Sequence, residues 1–210
     1  MSGPPVCVFD LDHTLISSPL DLRAVASEME ALVRARGLAV PERELRWSAP
    51  ELLGLVRREA PQLEAAALAI PAAHERRAME AAALEPFAVE ALAALRQLGF
   101  ATAVWTNNAR VAADYVLSRS RLLVHLDLVV TRDDVFHLKP DPDGLRVVRA
   151  RWPDAELIVV VGDSWVDGIA AQAGGVPFIA YRGDHAELAR RGVHAVASIS
   201  SLLDLPAALA

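Results

Sequence analysis

The sequence contains a single cysteine, and it contains no apolar run long enough to cross a membrane. Cys7 lies within an apolar segment and has no partner for an intrachain disulfide. A membrane-spanning helix needs about 20 consecutive apolar residues, and the first residues, Met-Ser-Gly-Pro-Pro, lack the basic and apolar regions of a signal peptide. We therefore expect a soluble protein of a reducing compartment, the cytoplasm, with no membrane partner.

The sequence also lacks an excess of basic charge. Its 21 lysines and arginines are outnumbered by 27 aspartates and glutamates, and the two signs are interleaved, which gives a net charge of −6. A protein neutralises a nucleic-acid backbone with a basic stripe, so we expect no nucleic-acid partner. Hydrophobic residues make up 53% of the chain, which is enough for a packed core. Since apolar faces can pack within the chain or on a second copy, we expect a monomer or a homodimer.

Short apolar runs alternate with helical segments along most of the chain. The runs of strand length are residues 6–9, 100–105, 126–130, 157–161 and 176–181. The helical segments are residues 87–98, 109–117, 143–151, 166–173 and 185–191. Continuous apolar strands separated by helices predict an α/β fold, a doubly wound parallel sheet covered on both faces. In such a sheet, ligands bind at the carboxyl ends of the strands.

The alternation is interrupted between Leu15 and Pro86, where no segment has a convincing strand pattern. Helical signals fill this part of the chain instead. Apolar residues at three- and four-residue spacing predict the buried face of a helix at Leu22, Val25, Met29 and Leu32. Ser48 and Glu51 have the spacing of a capping box at the start of another helix.

Pro61 and Pro71 indicate the starts of further helices, because proline is tolerated in a first helical turn. No strand separates these helical segments. We therefore predict an all-helical subdomain at residues 17–84, inserted after the first strand of an α/β core. The core itself is predicted to comprise residues 1–16 and 85–210.

Polar clusters follow four of the predicted strands. They are Asp10-Leu11-Asp12-His13-Thr14, Thr106-Asn107-Asn108, Lys139-Pro140-Asp141-Pro142, and Gly162-Asp163-Ser164 with Asp167 one helical turn later. Each cluster alone is typical of a helix cap or a surface turn. Because the carboxyl ends of parallel strands lie at one edge of a sheet, the four clusters together indicate a functional site.

Carboxylates dominate these clusters. Those expected to meet at the sheet edge are Asp10, Asp12, Asp163 and Asp167. Crowded carboxylates raise one another's pKa or bind cations, and hard oxygen ligands favour Mg²⁺. Together with such a cation, Lys139 could hold a phosphate dianion, and Thr106 and Asn107 offer further donors for phosphoryl transfer. A carboxylate can itself be the nucleophile, forming an acyl phosphate that water then hydrolyses.

The Asp-x-Asp-x-Thr pattern at residues 10–14, followed by the three later clusters, resembles the phosphatases of the haloacid dehalogenase superfamily. The resemblance covers nearly the whole chain outside the insertion. It implies a Rossmann-like core in which Asp10 attacks phosphorus, while Asp12 protonates the leaving oxygen and later activates water. It also implies that Mg²⁺ is the cofactor.

The same resemblance implies the other residues of the site. The phosphate-binding residues would be Thr106, Asn107 and Lys139, with Asn107 acting through its backbone or its side chain. The metal ligands would be Asp10, the backbone carbonyl of Asp12, and Asp163. Asp167 would support the metal from outside the ligand set. His13, at a position where the family often has glycine, would be a loop residue that points away from the chemistry.

A helical insertion directly after the first motif resembles the cap of the phosphoglycolate phosphatase and β-phosphoglucomutase branch. Residues 85–87 and 162–183 resemble the same branch. This implies a Mg²⁺-dependent phosphatase that hydrolyses a small phosphorylated metabolite, a phosphate monoester, through an aspartyl-phosphate intermediate. Two alternatives stay open: a phosphomutase of a sugar phosphate, and a non-catalytic regulatory module that binds phosphate or metal. Asp12 argues against a dehalogenase, which has little need of a second carboxylate.

Overall fold

The computed structural model of the protein describes residues 3–209. The strands are β1 (Val6–Phe9), β2 (Ile16–Ser17), β3 (Ala83–Leu84), β4 (Ala101–Trp105), β5 (Leu128–Val130), β6 (Ile158–Gly162), β7 (Phe178–Tyr181) and β8 (Ala197–Ile199). The α-helices are α1 (Leu22–Ala35), α2 (Ala49–Glu59), α3 (Glu64–Ala81), α4 (Ala88–Gln97), α5 (Arg110–Arg119), α6 (Asp143–Arg151), α7 (Trp165–Ala173), α8 (His185–Arg190) and α9 (Leu205–Ala208). The alternation of strands and helices confirms the predicted α/β class.

The main sheet contains six parallel strands in the order β5-β4-β1-β6-β7-β8. β1 lies inside the sheet, between β4 and β6, and all its residues are buried. A strand with neighbours on both sides and helices packed on the sheet is expected to be apolar throughout, as β1 is. Phe9 pairs with Val104 and with Val161, so Asp10 emerges at the carboxyl edge. The predicted parallel sheet is confirmed.

Two parts of the sheet structure were not predicted. β2 and β3 form a separate antiparallel pair, in which Ile16 lies opposite Leu84. They fall in the segment for which no strand was expected, and two residues are too few to show an alternating pattern. β8 extends the main sheet beyond β7, but only its last residue, Ile199, is buried. A three-residue edge strand with one buried side chain gives no recognisable apolar run.

The described residues form two compact units. One unit comprises residues 3–18 and 82–209 and contains the main sheet, and the other is Pro19–Ala81, which contains α1, α2 and α3. Residues 1, 2 and 210, which belong to the predicted core, lie outside the described residues. None of the described helices is long and apolar enough to cross a membrane.

The three helices of the Pro19–Ala81 unit pack against one another. At the start of α2, Ser48 and Glu51 form the expected capping box. The buried face of α1 differs from the predicted one, because Leu22 is 65% exposed whereas Val33 is fully buried. Leu22 is the first residue of the helix, and the buried stripe begins one turn later, where α2 and α3 can cover it.

Pro71 lies inside α3, not in the first turn of a separate helix. The prediction of a helix start at Pro71 was therefore wrong. Alanines, which have the highest helix propensity, occupy residues 65–67 and 72–73 on either side of the proline. They favour continuation of the helix through Pro71, even though proline removes one backbone donor.

Candidate active site

The predicted polar clusters meet at the carboxyl edge of the main sheet. Asp10 follows β1, Thr106 follows β4 and Asp163 follows β6, while Lys139 lies in the segment before α6. The Lys139 Nζ atom is 2.5 Å from Asp10 Oδ1 and 2.6 Å from Asp167 Oδ1. The parallel register of the strands thus joins residues that are far apart in the sequence.

Lys139 is the only lysine in the sequence, and its side chain is 3% exposed. Besides the two aspartates, its ammonium donates a 2.8 Å hydrogen bond to the backbone oxygen of Trp105. An ammonium has three N–H donors, so all of them are used. Burial by itself would lower the pKa of Lys139, but Asp10 and Asp167 raise that pKa above its ordinary value. The two carboxylates therefore favour the charged form of this ammonium.

Three carboxylates surround this charge. Ligand oxygens from Asp10, Asp163 and Asp167 all lie within 4.8 Å of one another. Burial raises the pKa of Asp10 well above its ordinary range, although Lys139 opposes the effect. Burial, together with the negative charge of Asp167, raises the pKa of Asp163 to about 7. When all are ionised, the carboxylates outnumber the ammonium by two charges, which a divalent cation with a preference for oxygen ligands would balance.

Asp167 is held by hydrogen bonds on both carboxylate oxygens. Oδ1 accepts from Lys139, and Oδ2 accepts from Ser164, at 2.7 Å from Oγ and 3.2 Å from the backbone N. A Cβ atom on Gly162 would lie 2.6 Å from the Asp167 carboxyl group. Gly162 therefore allows Asp167 to approach the end of β6, and Asp167 in turn holds Lys139.

Asp12 lies outside the cluster of three carboxylates. Its Oδ2 accepts a 2.6 Å hydrogen bond from Asn108 Nδ2, and its Oδ1 accepts one from Ser18 Oγ. Burial raises the pKa of Asp12, although the hydrogen bonds from Ser18 and Asn108 lower it in part. The side chain is thus held near the site by neutral donors, separately from the carboxylates beside Lys139.

The side chain of Asn107 binds the backbone of Lys139 at two points. Asn107 Nδ2 donates to the Lys139 oxygen at 3.0 Å, and Asn107 Oδ1 accepts from the Lys139 N–H at 2.9 Å. Thr106 is buried, and its Oγ1 accepts a 3.1 Å hydrogen bond from the Asn108 N–H. The hydroxyl proton of Thr106 stays available for another acceptor.

Sequence reasoning did not assign roles to Ser18, Asn108 or Ser164. Asn108 was visible as part of the polar cluster after β4, and Ser164 as the residue before α7. No pattern in the sequence indicated that Ser18 reaches Asp12. His13 has an exposed side chain and a left-handed backbone with φ of 58°, a conformation that glycine adopts without strain.

Comparison with known proteins identifies the family. A model of the haloacid dehalogenase-like hydrolases matches residues 4–175. The chain belongs to this family. It is 31% identical to a phosphoglycolate phosphatase of Cereibacter sphaeroides over 191 residues, which is 83% of each chain. It is 38% identical to a plasmid phosphoglycolate phosphatase of Cupriavidus necator over 120 residues, but it spans only 52% of that relative.

Solved structures show the same fold. A hydrolase from Pseudomonas syringae has a TM-score of 0.69 and 24% sequence identity, with 98% of this chain and 97% of the other covered. At that identity the likeness supports the architecture alone. The fold, the family and the relatives together identify the protein as a phosphohydrolase of the haloacid dehalogenase-like family.

Proposed function

We propose that the protein is a Mg²⁺-dependent phosphatase that hydrolyses a small phosphate monoester through an aspartyl-phosphate intermediate. The observation that carries the proposal is the position of Asp10. It follows the buried strand β1 at the carboxyl edge of the sheet, beside the buried ammonium of Lys139 and two further carboxylates. A nucleophilic carboxylate needs such a cation, because a phosphate dianion would otherwise be repelled.

In the first half of the reaction, an oxygen of Asp10 attacks phosphorus and the bond to the leaving oxygen breaks. Within the part of the chain that the structure describes, the Asp10 carboxylate accepts a hydrogen bond at Oδ1 but not at Oδ2. Oδ2 is therefore left for the attack. Asp12 donates its proton to the leaving oxygen, so the product departs as an alcohol. The raised pKa of Asp12 suits this acid role.

In the second half, water attacks the phosphorus of the aspartyl phosphate. Asp12, now ionised, accepts the proton of that water, while the bond between phosphorus and Asp10 breaks. Inorganic phosphate leaves, and both aspartates return to their starting states. The same carboxyl group thus acts first as an acid and then as a base.

The residues present fit a magnesium ion. The ligands would be Asp10, the backbone carbonyl of Asp12, and Asp163. These are hard oxygen ligands, and the cluster of Asp10, Asp163 and Asp167 exceeds the Lys139 ammonium by two negative charges, which matches a divalent cation. When bound, Mg²⁺ would neutralise charge on the phosphoryl oxygens. Both oxygens of Asp167 are already engaged by Lys139 and Ser164, which supports a role for Asp167 in holding the site together from outside the ligand set.

Thr106, Asn107 and Lys139 would bind the phosphoryl group. The Thr106 hydroxyl keeps a free proton, and the Lys139 ammonium can exchange the Trp105 carbonyl for a phosphate oxygen. Because the Asn107 side chain is bound to the Lys139 backbone, we assign the phosphate contact of Asn107 to its backbone N–H. Donors of this kind stabilise charge on the equatorial oxygens.

We assign the role of a substrate-selecting cap to the helical subdomain predicted at residues 17–84, within which the compact unit Pro19–Ala81 lies. Its insertion directly after the first motif supports this role. Phosphoglycolate is the first substrate to test, because relatives that match 83% and 84% of the chain are phosphoglycolate phosphatases.

The test is phosphate release from a panel of small phosphate monoesters, including phosphoglycolate and sugar phosphates, with and without Mg²⁺. Asp10→Asn should abolish turnover and the acid-stable mass increase of a trapped phosphoenzyme. A matched control is Asp184→Asn, because Asp184 caps α8 and asparagine is an equally good N-cap; it should leave activity unchanged.

Phosphate release that persists in Asp10→Asn would contradict the mechanism. Transfer of label between two hydroxyls of a sugar phosphate without release of phosphate would indicate the phosphomutase instead. Binding of phosphate without any turnover of the panel would indicate the regulatory module.

A further inference from the structure

Asn108 lies just after the end of β4 and contacts the carboxylate of Asp12. Its side chain donates a 2.6 Å hydrogen bond from Nδ2 to Asp12 Oδ2. Its backbone is fixed at both ends: the N–H donates to Thr106 Oγ1 at 3.1 Å, and the oxygen accepts from the N–H of Arg132 at 3.0 Å. The residue is 4% exposed. Asn108 is therefore a buried, anchored donor that points at one carboxylate.

The carboxylate of Asp12 accepts hydrogen bonds from neutral donors, whereas that of Asp10 contacts a cation. The Lys139 ammonium donates to Asp10, Asp167 and a backbone oxygen, and so has no donor left for Asp12. Asn108 and Ser18 hold the two oxygens of Asp12. Each carboxylate oxygen has two acceptor positions, so each keeps one position for a proton exchanged with substrate or water. The hydrogen bonds fix the orientation of the carboxyl group without blocking it.

We propose that Asn108 is a positioning residue that orients Asp12 for proton transfer. The proposal deepens the phosphatase function and rests on it. Proton transfer requires a donor within hydrogen-bond reach of the leaving oxygen, and misplacement by about 1 Å can cost on the order of 100-fold in rate. An Asp12 side chain without its Asn108 partner can rotate away from that position. Asn108 acts through Asp12 and transfers no proton itself.

The expected signature is a loss of rate that depends on the leaving group. An alkoxide leaving group needs protonation, whereas the p-nitrophenolate of p-nitrophenyl phosphate leaves without it. In Asn108→Ala, kcat/KM for an alkyl phosphate should fall about 10- to 100-fold. For p-nitrophenyl phosphate, kcat/KM should fall less than about 3-fold, because that step does not use Asp12 as an acid.

Asn108→Asp provides an isosteric variant that fills the same space but has no N–H to donate. If Asn108 acts by donating to Asp12, this variant should lose alkyl phosphatase activity at least as strongly as Asn108→Ala. It also keeps the experiment decisive if the alanine variant fails to fold. Inhibition by inorganic phosphate should change less than about 2-fold in Asn108→Ala, since anion binding uses other residues.

Thr102→Val is the matched control. Thr102 lies on β4, the strand that Asn108 follows, is fully buried, and its hydroxyl donates to the backbone oxygen of His125. The variant removes a buried hydrogen bond that does not involve Asp12, so it should lower stability and leave the ratio of the two kcat/KM values unchanged.

Equal losses on the alkyl and the aryl ester in both Asn108 variants would overturn the proposal, as would an Asn108→Asp variant as active as the wild type. In those cases the wild-type protein would still hydrolyse both esters, and the phosphatase function would stand. A wild-type protein that hydrolyses neither ester would instead refute the proposed function itself.

Discussion

Lys139 Nζ and Asp167 Oδ1 lie 2.6 Å apart, and both side chains are 3% exposed. The same ammonium contacts Asp10, so Asp167 prevents Lys139 from pairing with the nucleophile alone. A buried ion pair is costly to break from one side, because the remaining charge is left without a partner. The position of Asp10 therefore depends on Asp167, whose two carboxylate oxygens both accept hydrogen bonds.

The burial of Lys139 predicts an unusual resistance to amine-reactive reagents. Because it is the only lysine, a peptide map after acylation reports on this one side chain. In the folded protein we expect almost no modification at Lys139, since it is buried and its raised pKa keeps it protonated. In urea above the unfolding transition, modification should become complete. Rapid acylation of the folded protein would contradict the buried position.

Gly162→Ala should disturb the site through Asp167. The new Cβ would lie 2.6 Å from the Asp167 carboxyl group, so Asp167 must move away from Lys139. We expect a loss of about 1–3 kcal/mol in the free energy of unfolding and at least a 10-fold fall in kcat, given the cost of misplacing a site by about 1 Å. Urea unfolding and steady-state kinetics measure the two effects.

The control for Gly162→Ala is Gly54→Ala. Gly54 lies within α2, and a Cβ there would meet nothing within 4 Å. Alanine in a helix should therefore raise the free energy of unfolding by about 0.5–1 kcal/mol, with no change in kcat. A Gly162→Ala variant that behaved like this control would rule out the close approach of Asp167.

Asn107→Asp should weaken phosphate binding. The substitution keeps the acceptor that faces the Lys139 N–H but places an oxygen 3.0 Å from the Lys139 carbonyl, where Asn107 has its Nδ2 donor. Leaving that carbonyl unpaired costs about 1–3 kcal/mol, and the Lys139 backbone should shift. We expect the inhibition constant of inorganic phosphate to rise about 10-fold. An unchanged inhibition constant would show that Lys139 keeps its position without this contact.

Glu51→Gln tests the capping box of α2 as a function of pH. The hydrogen bond from Arg43, with those from Ser48, lowers the pKa of Glu51 from its ordinary 4.5 to about 2. A carboxyl group with a lowered pKa in the folded state stabilises the protein above pH 4.5, and this contribution is lost as the pH falls towards 2. Because Glu51 is partly exposed, we expect Glu51→Gln to lower the free energy of unfolding by about 0.5–1 kcal/mol at pH 7.

Urea unfolding of the wild type and Glu51→Gln between pH 7 and pH 3 checks this sign: the difference in free energy should shrink as the pH falls. Glu59→Gln, at the other end of α2 and exposed, should change stability by less than about 0.5 kcal/mol at every pH. A difference that grew towards acid pH would contradict the assignment.

The main sheet could be predicted because β1, β4 and β6 are continuous apolar runs, and because parallel strands present their carboxyl ends at one edge. That reasoning brought Asp10, Lys139 and Asp163 together. It could not locate β8, whose three residues bury one side chain. It also placed Leu22 on a buried face, because helical periodicity states which residues share a face but not where the neighbouring helices end.

The finer contacts of the site depend on the folded chain and had no signal in the sequence. Asn107 and Asn108 are adjacent and chemically identical, yet one binds the Lys139 backbone and the other binds Asp12. Which way each amide points is set by backbone geometry at the end of β4. Ser18 reaches Asp12 because the chain turns back after residue 12, where the His13 N–H bonds to the Ile16 oxygen at 2.6 Å.

The position of β1 inside the sheet has a consequence for the order in which the protein is made. Val6 pairs with Ala101 on one side and with Ile158 on the other, so β1 must wait for two neighbours that are translated after it. Pairing over such long sequence separations is slow because much chain entropy is lost first. On the ribosome, the nucleophile Asp10 is made early but reaches its final surroundings only after β6 has been translated.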